Sequence, residues 1–245
     1  MPFYEREERL LMTLSEKESM TVKELAEKMF ISIPTARRDL AKLESKGLII
    51  RTFGGASIKK RSADAQLPFV LREHEGNEAK MKIAEKAKSF LFDGATVMLD
   101  GSTSAYALIP HLSEFNDIIV IASSAKAAVA LGNMGIKTIC TGGHMKANSY
   151  AFVGFEAERT VADYNADIVF FSCRGLSEDG ALIDRSIEEN DLRRVMLTHA
   201  KRRVLLLDSG KIGRSYLNRL CTLSEIDDLV TETETPERFA KMLRK

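Results

Sequence analysis

Long apolar runs are missing from this chain of 245 residues. Its most hydrophobic stretches, VLLLD at 204–208 and DIVFFSC at 167–173, fall far short of the roughly 20 residues a membrane-spanning helix needs. The opening MPFYEREERLL also lacks the apolar centre of a signal peptide, so the expectation is a cytoplasmic protein with no membrane partner. Cysteine is scarce. Cys140, Cys173 and Cys221 lie far apart, with neither the density of a disulfide framework nor the spacing of a zinc site, and are expected to be buried thiols. The histidines His74, His111, His144 and His199 share no ligand spacing, and no Gly-x-Ser-x-Gly stretch marks a hydrolase. No metal, cofactor or catalytic residue is therefore expected. Internal repeats and low-complexity tracts are absent as well.

What the chain does have is 44% hydrophobic residues, enough to fill a core, and a net charge of +1 that hides an asymmetry. Residues 1–61 hold 13 Lys and Arg against 9 Asp and Glu, while the remainder holds 23 against 26. Two bodies with different partners follow, the first suited to a polyanion.

The N-terminal part reads as three helices. Leu10, Leu11 and Leu14 recur at helical spacing in the first. Thr21 and Glu24 have the spacing of a capping box, so a second helix begins near Val22 and buries Val22, Leu25, Ala26 and Met29. After the short break FIS, Ser32 offers an N-cap for a third helix, Pro34 fits its first turn, and Gly47 stops it. Two short helices with so tight a turn resemble a helix-turn-helix. On the third helix Ile33, Ala36, Leu40 and Leu43 fall on one side and form the expected buried stripe. Thr35, Arg38 and Lys42 fall opposite, among the small residues Pro34, Ala41 and Ser45. Such a face suits a major groove, with the Arg38 guanidinium forked onto guanine and Arg37, on the flank, nearer a phosphate. The alternative is a surface ion pair with Asp39. LIIRTFGGA then reads as a wing: a strand, Arg51 along the DNA backbone, and a Gly54-Gly55 turn. The candidate DNA contacts are Ser32, Pro34, Thr35, Arg37, Arg38, Lys42, Arg51, Gly54 and Gly55.

Residues 58–77 read as a polar linker interrupted by Pro68, between a DNA-binding domain at 1–57 and a second domain at 78–245. From Glu78 onward helices alternate with six short apolar runs: ATVMLD, IIVIAS, KTICTG, DIVFFSC, RRVLLLDS and DDLVTE. Strands apolar at every position are buried on both faces, and helices between them imply parallel pairing, so the second domain is α/β with a mostly parallel sheet. Ligands bind where such strands end. The loops there supply Asp100, Gly101, Ser102, Thr103 and Ser104, then Ser123 and Ser124, Gly142 and Gly143 after Thr141, Arg174 and Gly175, and finally Asp208 and Lys211. The first loop opens into a helix with free N–H groups and three hydroxyls, a seat for a phosphate. The rival reading is an aldose–ketose isomerase with residual catalysis, using Glu178, Asp179 or Asp184 as base and Lys211 to steady an enediolate.

The segments ERLLMTL, TVKELAEKMFIS, TARRDLAKLESKGLIIRTFGGA, LPFVLR, KMKIAEKA, MLDGSTS, CTGG, LRRVML, LLLDSGKIG and IDDLVTE together resemble the DeoR family of bacterial transcription regulators. The likeness spans nearly the whole chain. Thr-x-Arg-Arg-Asp-Leu followed by Gly-Gly-Ala is its most specific part. It implies a winged helix-turn-helix joined to a sensor domain similar to the ribose-5-phosphate isomerase fold, and a repressor of carbohydrate-metabolism genes. It further implies that double-stranded operator DNA is bound by a homodimer or homotetramer and released or held according to a phosphorylated sugar. By the same likeness the phosphate falls on Gly101, Ser102, Thr103 and Ser104 and the distal sugar on Asp208 and Lys211. The chain departs from the family pattern at Ala122-Ser123-Ser124 and at Asn190-Asp191, both expected to line the pocket.

Overall fold

The computed structural model describes residues 3–17, 19–59 and 68–244, which form two compact units, one reaching Glu75 and the other starting at Gly76.

In the first unit the order is α1 (Phe3–Ser15), β1 (Met20–Thr21), α2 (Val22–Met29), α3 (Ile33–Ser45), β2 (Ile49–Thr52), β3 (Gly55–Ile58) and α4 (Phe69–His74). The capping box forms: Glu24 N–H donates to Thr21 Oγ1 at 3.1 Å, and Thr21 N–H donates to the Glu24 carboxylate at 2.7 Å. Phe30 ends α2 in the left-handed conformation, φ 55°, which turns the chain toward α3 within three residues. Helix α3 ends as its sequence dictates. Lys46 caps it, Gly47 takes φ 67°, and the Gly47 and Leu48 N–H groups return to the Glu44 and Leu43 carbonyls at 2.8 and 3.0 Å. Leu10, Leu14, Leu25, Ala36, Leu40, Leu43 and Ile49 are completely buried in the shared core, which Leu71 of α4 joins. Residues 60–67, the middle of the stretch read as a linker, lie outside the described residues.

Two expectations need correcting here. Ile33 is not in the buried stripe but 41% exposed, because it is the first residue of α3 and helical side chains lean toward the N-terminus, past the end of the core. Its place is taken by Asp39, which is 1% exposed and accepts from Arg6 Nε at 2.9 Å. The wing turn is Phe53-Gly54 rather than Gly54-Gly55: Thr52 pairs with Gly55 across it, and Gly55 opens β3. The two glycines have different reasons. Gly54 sits at φ +82°, whereas a Cβ on Gly55 would stand 2.4 Å from the Met20 carbonyl oxygen, where β1 pairs with β3.

The second unit opens with α5 (Asn77–Ala87) and β4 (Thr96–Leu99). Then come α6 (Thr103–Tyr106), α7 (Ile109–Leu112), β5 (Ile119–Ala122), α8 (Ala125–Asn133), β6 (Lys137–Cys140), and the hairpin β7 (His144–Met145) and β8 (Phe152–Val153). Next are α9 (Phe155–Ala162), β9 (Ala166–Phe171), β10 (Gly175–Leu176), β11 (Ala181–Asp184), α10 (Ile187–Thr198) and β12 (Ala200–Leu206). The unit closes with β13 (Asn218–Thr222), β14 (Asp228–Val230) and α11 (Glu237–Ala240). All six apolar runs become strands of one sheet in the order β14-β12-β9-β4-β5-β6, every pair parallel. Alternate residues sort onto two cores. Val97, Leu99, Val120, Ile168, Phe170, Val204 and Leu206 face α5 to α8, whereas Met98, Ile121, Val169, Phe171 and Leu205 face α9 to α11. The edge strand β6 departs from the expectation of burial on both faces: Lys137 and Cys140 are exposed, so Cys140 is not a buried thiol. A small antiparallel sheet, β10-β11-β13, and the β7-β8 hairpin have no counterpart in the sequence reading.

Candidate functional site

On the first unit, α3 presents one charged face. Its opposite side is buried, and Arg37, Arg38 and Lys42 are exposed. No hydrogen bond or ion pair among the described residues holds either arginine, and Asp39, the alternative partner, is turned inward to Arg6. Burial of both Asp39 and Leu40 leaves Arg38 no inward direction. Ser32 and Thr35 shape the start of the helix: Thr35 N–H donates to Ser32 Oγ at 3.3 Å, and their hydroxyls stand 2.8 Å apart. Pro34 lies in the first turn. Arg51, on the exposed side of β2, comes only within 3.9 Å of Glu44. A groove between α2, α3 and the wing is lined by Lys23, Ile33, Arg37, Arg51, Thr52, Gly54 and Gly55.

In the second unit the strand order runs outward in both directions from the pair β4 and β9, so their C-terminal ends flank the point where the topology switches. Asp100 follows β4 there. Its Oδ1 accepts from Ser102 N–H at 3.0 Å, and its Oδ2 accepts from Arg193 Nε at 2.8 Å and Ser172 N–H at 3.3 Å. Thus Asp100 points inward and shapes its loop. Gly101 lies under Ala151, since a Cβ there would stand 2.7 Å from that of Ala151. Ser102 caps α6 by accepting from Ala105 N–H at 3.1 Å, and Thr103 and Ser104 are buried behind it. The Ser104 hydroxyl is buried with no hydrogen-bond partner.

The remaining loop residues spread around this edge. Phe152 N–H donates to the Ser123 carbonyl at 2.8 Å, Ser124 caps α8, and Gly142 and Gly143 form the turn after β6. Gly175 starts β10, while Arg174 packs beside Asp184 and Glu189 with one guanidinium nitrogen, Nη2, buried and unpartnered. Burial draws the Arg174 pKa down against those two carboxylates. Lys211 Nζ lies 3.4 Å from Asp208 and donates to Ser172 Oγ at 3.1 Å, which brings the β12 loop to the end of β9. Asp100, Gly101 and Ser123 share a small cavity with Ala151, Phe152, Glu189, Leu192 and Arg193. Ser102, Thr103, Ser104, Ser124, Gly142, Gly143, Arg174, Gly175, Asp208 and Lys211 do not line it.

Sequence reasoning missed the residue at the centre. Arg193, on α10, is 5% exposed and donates to Asp100, to Asp184 at 2.9 Å, to Asn190 at 3.1 Å and to Glu189 at 3.4 Å. Burial alone would lower its pKa, but Asp184, Asp100 and Glu189 face it and raise it. Ser149 donates to Glu189 at 3.0 Å, and Lys146 reaches Ser186 and Glu188, so the β7-β8 connection is tied to α10. The Glu189 to Arg193 spacing of four residues was the legible signal. Asn190 is fully buried here with its Nδ2 unpartnered, whereas Asp191 is half-buried and pairs with Arg194 at 2.6 Å, away from the pocket. Of the acids considered for catalysis, Glu178 pairs with Arg238 and Asp179 accepts from Ser177, both at the surface; only Asp184 comes to Arg193. Cys173 and Cys221 are buried, and burial pushes both thiols up to about 12. No cluster of three or more His, Cys, Asp or Glu able to hold a metal is found among the described residues, and none of their helices is long and apolar enough to cross a membrane.

A winged helix-turn-helix unit followed by a parallel α/β unit with a polar crevice defines a class of two-part DNA-binding regulators. Comparison with known proteins makes it particular. Residues 6–62 match the DeoR-like helix-turn-helix domain and residues 75–233 the DeoR C-terminal sensor domain. The chain is similar to the L-fucose operon activator of Haemophilus influenzae, 31% identical over 236 residues, 96% of this chain and 94% of that one. It is also similar to the transcriptional regulator GolR of Listeria innocua, 32% identical over 239 residues, 97% and 94% of the two chains. Among solved structures, eIF2B delta from Chaetomium thermophilum shares the fold at a TM-score of 0.50 and 18% identity, over 67% of this chain and 59% of that one. The chain belongs to the DeoR family and is a DNA-binding transcriptional regulator with a sensor domain.

Proposed function

We propose that the chain represses carbohydrate-metabolism genes by binding double-stranded operator DNA, and that a phosphorylated sugar in the sensor domain sets its affinity. Residues 1–57 carry the DNA contacts and 78–245 sense; of the stretch between, α4 (Phe69–His74) belongs to the first unit, whose core Leu71 joins. The observation that carries the DNA half is the pair of exposed, unpartnered guanidiniums of Arg37 and Arg38 on a helix whose other side is buried. Arg38 reads a base, while Arg37 and Arg51 hold phosphates, with Ser32, Pro34, Thr35, Lys42, Gly54 and Gly55 completing the surface. One such unit has few base contacts, so a homodimer or homotetramer places two over adjacent half-sites.

For the sensor half, the buried and unpartnered Ser104 hydroxyl beside the capped start of α6 supports a phosphate on Gly101 to Ser104. The unpartnered nitrogens of Arg174 and Asn190 support an acceptor-rich ligand beyond it, with Ser123, Ser124, Gly142, Gly143, Gly175, Asp208 and Lys211 around the crevice. Asp100 serves by positioning the loop. The effector acts by preferring the sensor arrangement in which the DNA-binding units are misplaced, since only differential affinity shifts such an equilibrium.

The test is a thermal-shift screen of phosphorylated sugars, then mobility shifts on duplexes the full chain selects from a randomised library. The expected result is a stabilising sugar phosphate that releases DNA without being consumed. Ser102→Glu places a carboxylate at the phosphate seat and is expected to abolish that release while leaving DNA binding intact. Release that persists unchanged in Ser102→Glu removes this loop from the site.

A further inference from the structure

The wing carries a phenyl ring with no role in the fold. Phe53 is fully exposed, 111% of its reference surface, at the first position of the two-residue tip. Its attachment point, the backbone of the turn, is nonetheless fixed. Gly54 holds the turn at φ +82°, the flanking strands pair from Ile49 to Ile58, and Gly55 is pressed against the Met20 carbonyl. A phenyl ring wholly in water is stabilised when a partner covers it, by roughly 25 cal/mol per Å² of apolar surface buried. The charges beside it indicate what does: Arg51 lies two residues earlier, on β2, and with Lys23 and Arg37 lines the groove between the wing and α3. Three cations in one groove fit a sugar-phosphate strand. A strand seated there leaves α3 on its major-groove side and the wing tip on its minor-groove side.

We propose that Phe53 is an apolar wedge that enters the minor groove of duplex DNA at the edge of each half-site, while Lys23, Arg37 and Arg51 hold the phosphates between it and α3. This rests on the DNA-binding reading above and adds a specificity-determining residue to it. Apolar wedges part base steps, and pyrimidine–purine steps part most easily, so Phe53 selects flexible steps at a position that no polar side chain reads.

An uncharged wedge has a signature that a cation lacks: it adds affinity without adding to the salt dependence. The full-length chain first selects duplexes from a randomised library, and binding of the selected duplexes is then followed by fluorescence anisotropy across a salt series, with 2-aminopurine placed at the flanking step. Phe53→Ala is expected to weaken binding about tenfold. Its slope of log affinity against log salt should be unchanged, and the 2-aminopurine signal of unstacking should be lost. Arg51→Ala is expected to flatten the slope by about 0.9. Phe53→Leu should retain most of the affinity. Replacing the flexible step by a G·C-rich one should cost the wild type as much as Phe53→Ala does and cost the variant nothing further. Because Phe53 touches nothing in the core, the melting temperature of Phe53→Ala should match the wild type, and it serves as the folding control. Wild-type affinity in Phe53→Ala, a flattened slope, or additive losses would each overturn the wedge. A wild-type chain that selects no sequence would overturn the DNA-binding reading itself, so the two failures are distinguishable.

Discussion

Arg37 and Arg38 on α3 and Arg193 on α10 are the same side chain put to opposite uses. The first two are exposed and unpartnered, whereas the third is buried, with Asp100, Asp184 and Glu189 around it. A guanidinium whose charge is answered inside the chain holds the chain together. One held out on a rigid helix with nothing to answer it is a contact waiting for a partner. The difference lies in burial and pairing, and a count of basic residues does not contain it: the first unit is only modestly cationic, and the second, with more acids than bases, holds the most tightly enclosed arginine of the two.

The largest effect is expected where the enclosed cation is removed. Arg193→Ala leaves three carboxylates facing one another in a buried site, a loss of about 3–5 kcal/mol of sensor stability by urea denaturation. Arg38→Ala should change stability by less than about 0.5 kcal/mol. Equal effects on stability would erase the distinction between the two arginines.

The comparison then sharpens within the exposed set. Arg38→Ala should cost about 1–3 kcal/mol of binding per half-site and relax one base preference, measured by anisotropy on selected duplexes and their single-base variants. Arg51→Ala should weaken all sequences alike and reduce the salt dependence. Uniform loss across sequence variants in both would show that α3 contributes no base reader.

Much of this was legible because local rules and tertiary packing agree. The capping box at Thr21, the stop at Gly47 and the six strand runs each need only neighbouring residues or a simple period to be read. Ile33 was misplaced because a helical period has no knowledge of where the core ends, and Asp39 because its partner, Arg6, lies 33 residues away. The β10-β11-β13 sheet escaped for the same reason: it joins residues from Gly175 to Thr222 through strands as short as two residues. In the candidate site, the loops after the strands were visible as Gly, Ser and Asp at strand ends. Their hub was not, because Arg193 meets Asp100 from 93 residues away and reads in sequence as one more charge on a helix.

A smaller loss of stability than at Arg193 is expected at the feature that was easiest to read. Thr21→Ala removes the hydroxyl that caps α2 and should cost about 0.5–2 kcal/mol. Glu24, its partner in the box, has its pKa drawn below the ordinary value, first by the Thr21 backbone N–H and then by the Thr21 hydroxyl. A carboxylate with a lower pKa in the folded state than in the unfolded state stabilises fully above the unfolded value and loses that contribution as pH falls through the folded one. Glu24→Gln should therefore lower stability near neutral pH and converge with the wild type in acid, with the difference closing from just above the ordinary glutamate range downward. In the same titration, Arg38→Ala should leave the Glu24 dependence as it is in the wild type, since no carboxylate among the described residues pairs with that guanidinium. A pH-dependent gap in Arg38→Ala would mean that this arginine is engaged inside the chain after all, and the contrast with Arg193 would become one of degree.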